Sequence, residues 1–149
     1  MKRIITALFC IGLGLSGVET ASAQSQGVAA GIMLGSPTGI TVLIRDRVAL
    51  GAAWSFRDYI HLHGDLWVYH GLLAEPVDWY VGVGAKFRAF SDSRRKDDFP
   101  VGIGVRVPLG LRFFPIEPLE LFLELAPGIS LVPDTSPDLD AVIGVRFHF

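Results

Sequence analysis

The last nine residues, AVIGVRFHF (141–149), decide the fold, because apolar side chains alternate there with polar ones or glycine up to a terminal phenylalanine. Successive side chains of a β-strand point to opposite sides of the sheet, so this stretch has one apolar and one polar face. The apolar face carries Val145, Phe147 and Phe149, and the polar face carries Arg146 and His148. Such a strand belongs at a boundary between an apolar and a polar environment.

The same alternation recurs upstream in about eight runs separated by turn residues. The runs span residues 27–35, 40–46, 48–56, 59–70, 78–90, 99–114, 119–132 and 139–149. Most of them suit a tilted membrane strand, which needs about 9–11 residues. The sequence shows no helical period, internal repeat or second domain, and it therefore predicts one all-β domain of eight antiparallel strands.

From the fourth run onward, the two faces of the strands differ in charge. The uncharged face carries Ile60, Leu62, Leu66, Val68, Trp79, Val81, Val83, Ala85, Phe87, Val101, Ile103, Val105, Val107, Leu109, Leu111, Phe113, Leu119, Leu121, Leu123, Leu125, Ala141, Ile143, Val145, Phe147 and Phe149. The other face carries His61, His63, Asp65, Lys86, Arg88, Arg106, Arg112, Glu120, Glu124, Arg146 and His148. A soluble, lipocalin-like carrier would turn the uncharged face inward, whereas an outer-membrane barrel would turn it outward.

Glycine and arginine favour the membrane orientation. Glycines stand between the charged residues, where they would weaken a solvent-facing strand but would make room inside a narrow barrel. Lysine occurs beyond the N-terminal segment only at Lys86 and Lys96, while arginine recurs on the polar face. Arginine paired with carboxylate suits a confined site better than lysine does.

The N-terminus has the features of a secretory signal peptide. Lys2 and Arg3 precede an apolar run over 4–17, and Ala21-Ser22-Ala23 gives the small-x-small cleavage pattern. The run is too short to span a bilayer, which takes about 17–25 residues. We expect a signal peptide over 1–23 and a barrel domain over 24–149. Cys10, the only cysteine, would leave with the signal, so the mature chain would have no thiol.

Two stretches carry a resemblance to a known family. RVPLGLRFFPIEPLELFLELAPGISLVPDT (106–135) followed by GVRFHF (144–149) is similar to a pattern in small eight-stranded outer-membrane β-barrels of bacteria, the OmpX/OmpA-type barrels. The final strand, with Val145, Phe147 and Phe149 on one face, resembles their C-terminal assembly signal. The resemblance implies an eight-stranded antiparallel up-and-down transmembrane β-barrel in the bacterial outer membrane. It also implies two partners, outer-membrane lipid and the barrel-assembly machinery.

With both termini in the periplasm, the hairpins alternate between the two sides of the membrane. Outer loops are expected at 37–39, 57–58, 91–98 and 133–138, and periplasmic turns at 45–47, 71–77 and 115–118. Pro108 and Pro127 each lack a ladder donor, which predicts a bulge or an early strand end. Outward aromatic residues would form an interfacial girdle, whereas Trp67, Tyr69 and Tyr80 share the parity of the polar face and would cap the lumen.

The expected lumen is a plug of paired charges. The tight turn at 115–118 places Arg112 close to Glu120 and brings Arg106 within diagonal reach of Glu124. On the fourth and fifth strands, His61 should lie near Arg88 and His63 near Lys86, with Asp65 below them. Removing one partner of such a buried pair typically costs about 3–5 kcal/mol.

Three functional alternatives stay open beside a structural role. His61, His63 and Asp65 have a spacing that could chelate a metal, but the cations expected around them disfavour it, and no metal or cofactor is predicted. A lipid-modifying acyl hydrolase or transferase would need His61 or His63 beside Ser91, Asp92 or Ser93. The charged run Ser91–Asp98 could bind lipopolysaccharide or another surface partner.

The favoured interpretation is a small, non-conducting outer-membrane barrel with a structural or surface-interaction role, present as a monomer and without catalytic residues. The enzyme is the first alternative, and a soluble periplasmic carrier is the second. The net charge of −2 gives no reason to expect a nucleic-acid partner.

Overall fold

The computed structural model describes residues 27–54, 59–90 and 101–149. The predicted signal peptide and the expected outer loops at 57–58 and 91–98 lie outside these residues. The strands are β1 (Val28–Ser36), β2 (Gly39–Ile44), β3 (Val48–Trp54), β4 (Tyr59–Ala74), β5 (Val77–Phe90), β6 (Val101–Arg106), β7 (Leu109–Ile116), β8 (Leu119–Val132) and β9 (Ser136–His148). In these ranges, no helix is long and apolar enough to cross a membrane.

The strands form a closed antiparallel barrel. β1 to β5 pair in chain order, β8 pairs with β9, and β9 returns to pair with β1 along 29–36. β6 and β7 lie end to end between β5 and β8, so together they are one strand of the wall. The prediction of an all-β, eight-stranded antiparallel up-and-down barrel is confirmed.

The two prolines have different effects. Pro108 separates β6 from β7, as expected for a residue without an N–H, although its carbonyl still accepts a hydrogen bond from the Gly82 N–H at 2.9 Å. At Pro127 the expected bulge or strand end is absent, because β8 continues through it in unbroken register with β9. The Pro127 carbonyl accepts from the Val107 N–H at 2.8 Å, so the proline removes only its own donor from the ladder.

Several predicted turns are shorter than the sequence suggested. The 71–77 turn shrinks because β4 runs to Ala74 and β5 begins at Val77. Likewise, β9 begins at Ser136, inside the expected 133–138 loop. A register shift between Trp67 and Tyr69 changes the parity of β4, so Tyr69 points outward and does not cap the lumen.

The barrel has two rims. We call one the turn rim: it carries both ends of the described chain and the turns at 45–47, 75–76 and 117–118. We call the other the loop rim: among the described residues it carries the connections at 37–38 and 133–135.

The two faces of the wall differ in the way that the membrane orientation requires. The outer face is apolar: Leu62, Val83, Leu111, Leu123 and Ile143 are examples of its exposed side chains, all at least 41 % exposed. On β4 to β9 the inner face carries the charged side chains, most of which are buried. On β1 to β3 the inner face instead carries Ala29, Met33, Thr41, Leu43, Ala49 and Ala53, all buried. Long charged side chains therefore fill the interior from one side, and small or apolar ones line the other.

Candidate functional site: the polar interior

The eleven predicted lumen residues all lie on the inner face. His61, His63, Asp65, Lys86, Arg106, Arg112, Glu120, Glu124 and Arg146 are buried, whereas Arg88 and His148 near the two rims are half-buried. The interior divides into a loop-rim cluster, an aromatic layer and a turn-rim cluster.

Arg106 is the central cation of the loop-rim cluster. Its guanidinium lies 3.2 Å from Asp65 and donates a hydrogen bond to Asp140 at 3.2 Å. It also donates to Glu124, the diagonal neighbour that the sequence singled out. With a side chain only 1 % exposed, Arg106 is the shared cationic partner of three buried carboxylates that have little access to water.

Closer to the loop rim, two more cations share two aspartates. Lys86 donates to Asp138 at 2.5 Å and to Asp140 at 3.4 Å. Arg88 pairs with the same two residues, at 2.9 Å and 3.2 Å. Arg88 also donates from Nε to His61 Nδ1 at 3.2 Å, so the expected neighbourhood of these two residues is present. Since each aspartate has more than one cationic partner, this part of the network is redundant.

The turn-rim cluster is built around Glu120, whose side chain is fully buried. Arg146 donates to Glu120 Oε1 at 2.9 Å and Arg112 to Oε2 at 3.0 Å, and His148 Nε2 lies 2.6 Å from Oε2. Arg112 also donates to Asp46 in the β2–β3 turn at 2.8 Å, which links this turn to the interior. One carboxylate therefore holds three basic side chains in place.

An aromatic layer separates the two clusters. Trp67 and Tyr80 stack with ring centroids 3.8 Å apart and an interplanar angle of 16°. The Tyr80 hydroxyl donates to Glu124 at 2.6 Å. On the other side, the Arg112 guanidinium lies 5.1 Å from the Trp67 ring centroid, within the range of a cation–π contact. Trp67 and Tyr80 therefore point into the lumen, as their parity predicted, but they stack between the two clusters and do not cap it at a rim.

Glycines let these side chains meet. Among the polar contacts between strands that are not neighbours, three pass over a glycine on the strand between them. The sets are Asp65–Gly84–Arg106, Tyr80–Gly110–Glu124 and Arg146–Gly31–Thr41. A Cβ at Gly84 would lie 1.9 Å from Asp65 Oδ1, so no larger residue fits there without moving the carboxylate.

Gly110→Val tests this arrangement. A Cβ at Gly110 would lie 2.1 Å from the Tyr80 ring, so the substitution is expected to push the ring off Trp67 and to destabilise the barrel by about 1–3 kcal/mol. Urea unfolding in lipid vesicles, with tryptophan fluorescence as the signal, measures both effects. Gly64→Ala is the control, because its Cβ meets only Leu50 at an ordinary 3.4 Å. Equal stability of the two variants would contradict the role of Gly110.

The inner face of β4 is the least satisfied part of the interior. His61 Nε2, His63 Nδ1, both Asp65 oxygens and Trp67 Nε1 are buried without a hydrogen-bond partner. His63 Nε2 and Asp65 Oδ2 are 3.9 Å apart, and Arg106 stands beside the aspartate. In the described ranges, no group of three or more histidine, cysteine or acidic residues has the geometry of a metal site.

Sequence reasoning missed several members of the network. Asp138, Asp140, Asp46 and Thr41 all bond to predicted lumen residues. The parity signal was present for Asp140, which lies in the predicted last run on the face of Arg146 but was not assigned to the lumen, whereas Asp138 fell within the expected 133–138 loop. Asp46 could not be found by parity, because it belongs to a turn.

A small cavity of about 230 Å³ lies at the loop rim. Lys86, Arg88, Ser130, Asp134 and Ser136 supply its polar lining. At the turn rim, Phe147 and Phe149 point outward with ring centroids 5.4 Å apart. Arg146 and His148 point inward, and Val145 is half-buried.

Comparison with known proteins adds a fold likeness. No family model matches the sequence, and no curated protein gives a significant match. Among solved structures, the chain is similar to the N-terminal β-barrel domain of OprF from Pseudomonas aeruginosa, with a TM-score of 0.57 and 16 % identity. The likeness covers 85 % of this chain and 100 % of that one. At this identity it supports the closed barrel architecture alone.

Proposed function

We propose that the chain is a small, non-conducting outer-membrane barrel with a structural or surface-interaction role. The observation that carries the proposal is the orientation of the wall: apolar side chains cover the outside, and the buried charges are paired inside. A closed barrel satisfies its backbone hydrogen bonds internally, which a bilayer requires. The soluble-carrier alternative needs the opposite orientation, with an apolar pocket at the centre.

The interior supports the absence of conduction. Charged residues from β4 to β9 meet across the lumen, and the Trp67–Tyr80 stack lies between their two clusters. An eight-stranded barrel is just wide enough for side chains to fill its interior. Vesicles containing the refolded protein should therefore exclude small sugars and ions. Swelling in a sugar solution, with a porin as the positive control, would contradict the proposal.

Location and assembly belong to the same proposal. The N-terminal signal at 1–23 would direct the chain to the periplasm, and Val145, Phe147 and Phe149 would be read by the barrel-assembly machinery. Lipid and that machinery are the proposed partners, and the barrel would remain a monomer. Fractionation tests the location: the protein should enter the detergent-soluble outer-membrane fraction and migrate in a heat-dependent way on mild gels. Recovery in the periplasmic extract would refute it.

Leu123→Arg tests the lipid-facing orientation directly. Leu123 lies near the middle of β8 and is 49 % exposed on the outer face. A lipid-facing arginine at mid-depth costs about 2–4 kcal/mol, so folding into vesicles should weaken by that amount. Asp134→Arg at the loop rim is the control, because it places the same charge on an exposed connection. An equal free energy of folding into vesicles for both variants would contradict the lipid-facing orientation.

The enzyme remains the alternative hypothesis, but no observation favours it. The candidate bases His61 and His63 are buried inside the barrel, and the candidate nucleophiles Ser91 and Ser93 lie outside the described residues. Phospholipid or lipopolysaccharide turnover that disappears in His61→Ala, while the barrel still folds, would replace the structural proposal. The surface-contact role proposed for Ser91–Asp98 would be tested by deleting that run and measuring lipopolysaccharide binding.

A further inference from the structure

The β4–β5 hairpin projects past its neighbour at the turn rim. β4 pairs with β3 only as far as Leu66, which lies opposite Val48, and the Trp67 N–H then donates to the Arg47 carbonyl at 2.7 Å. Beyond this point, the segment Val68–Ala74 pairs with β5 alone. Within the described part of the chain, no strand covers the other edge, which is about 23 Å long for seven extended residues. We call this segment the free edge.

The side chains and the backbone of the free edge require different environments. It contains no Asp, Glu, Lys or Arg, and Tyr69, Leu72 and Leu73 are each at least 60 % exposed. Its side chains therefore favour an apolar environment. Its uncovered N–H and C=O groups, however, cannot face hydrocarbon, because an open sheet edge has no partners there. Natural proteins usually protect such an edge with charge, proline or a short length. A strand bound along it would satisfy both demands.

Strand direction and charge identify the kind of strand that fits. The vacant place continues the line of β3, which runs antiparallel to β4 and begins directly after the turn at 45–47. An antiparallel guest strand would therefore point its C-terminus at this turn. Arg45 and Arg47 are exposed there and form no ion pair with any described residue, whereas Asp46 turns inward to Arg112. Two unpaired guanidinium groups complement a terminal carboxylate.

We propose that the free edge captures the extended, apolar C-terminal segment of a partner protein, with its terminal carboxylate at Arg45 and Arg47. Main-chain hydrogen bonds would hold the segment, as in other cases of strand addition. A second copy of this chain fits less well, because a copy in the same membrane has the same orientation and its β4 would run parallel to the first. The inference rests on the proposed membrane location and adds a partner at the periplasmic side.

The test uses the folded barrel in detergent micelles and a fluorescent heptapeptide of alternating valine and threonine. Fluorescence anisotropy should show saturable binding of the peptide with a free C-terminal carboxylate. The same peptide as a C-terminal amide should bind about fivefold more weakly. Arg47→Glu should abolish the preference for the acid, and Leu73→Lys should weaken both peptides by placing a charge on the edge. Ile116→Lys is the matched control, because Ile116 is equally exposed on the neighbouring hairpin of the same rim.

Equal binding of the acid and the amide, or no saturable binding, would overturn the inference. Photo-crosslinking from position 73 gives a second test. A crosslink between two barrels, and none to the peptide, would also overturn the inference in favour of self-association. The membrane proposal fails separately. A barrel that binds the acid peptide but stays out of vesicles refutes the location alone, and an inserted barrel that ignores the peptide refutes the free-edge inference alone.

Discussion

Arg106→Met is expected to destabilise the folded barrel by about 3–5 kcal/mol, because removing one partner of a buried charge cluster leaves the others unpaired. Methionine keeps much of the length of the side chain, so loss of packing volume contributes little. Asp65 and Glu124 would lose their cation, while Asp140 would keep Lys86 and Arg88. Urea unfolding in vesicles, followed by tryptophan fluorescence and by heat-dependent gel migration, measures the change.

Arg88→Met is the matched control for Arg106→Met. The distances from Arg88 to Asp138 and Asp140 are close to those from Arg106 to its own carboxylates. The Arg88 side chain, however, is 25 % exposed, and Lys86 also contacts both aspartates. We expect a loss of about 1 kcal/mol or less. Adding Glu124→Leu to Arg106→Met should recover part of the stability, because it removes one stranded charge. Equal losses in the two single variants would show that Arg106 has no special place in the network.

The fold could be predicted because strand period and barrel closure are strong constraints. A period of two sorts every residue of a regular strand onto a face, so the outward position of Leu123 and the inward position of Glu120 follow from the sequence. The tight turn before β8 also predicted that Arg112 lies close to Glu120; in the register Arg112 is opposite Phe122, and Glu120 is two residues further along β8. The period of two does not predict the correct face where a strand is irregular. One extra residue near Val68 places Tyr69 on the outer face.

The details of the interior could not be predicted, because they depend on contacts between strands far apart in sequence. Lys86 and Asp138 are separated by 52 positions and meet only through the closed geometry of the wall. Contacts that pass over a glycine on the intervening strand are one part of the interior that can be explained. Once the register is known, Gly84 identifies Asp65 and Arg106 as a pair that can meet above it. Without the register, the same glycines indicate only that space exists inside.

Glu120→Leu is expected to have an effect of similar size at the other end of the barrel, about 3–5 kcal/mol. Glu120 is the shared acceptor of Arg112, Arg146 and His148, and its side chain is 0 % exposed. Leucine would leave two guanidinium groups in the interior without their common carboxylate. Raising the pH would not remove the unpaired positive charges, because arginine stays charged at any accessible pH. The loss of stability should therefore persist in urea unfolding at alkaline pH.

Asp46→Ala separates burial from bond geometry as the cause of the Glu120 effect. Asp46 bonds to the same Arg112 at 2.8 Å, slightly shorter than the 3.0 Å contact to Glu120, but its side chain is 50 % exposed. Water can replace Asp46, so its removal should cost less than about 1 kcal/mol. If bond length decided the contribution, Asp46→Ala would be at least as harmful as Glu120→Leu. The expected order is the reverse: loss of buried Glu120 leaves Arg112 and Arg146 without their shared acceptor, whereas after loss of exposed Asp46 the Arg112 guanidinium still bonds to Glu120.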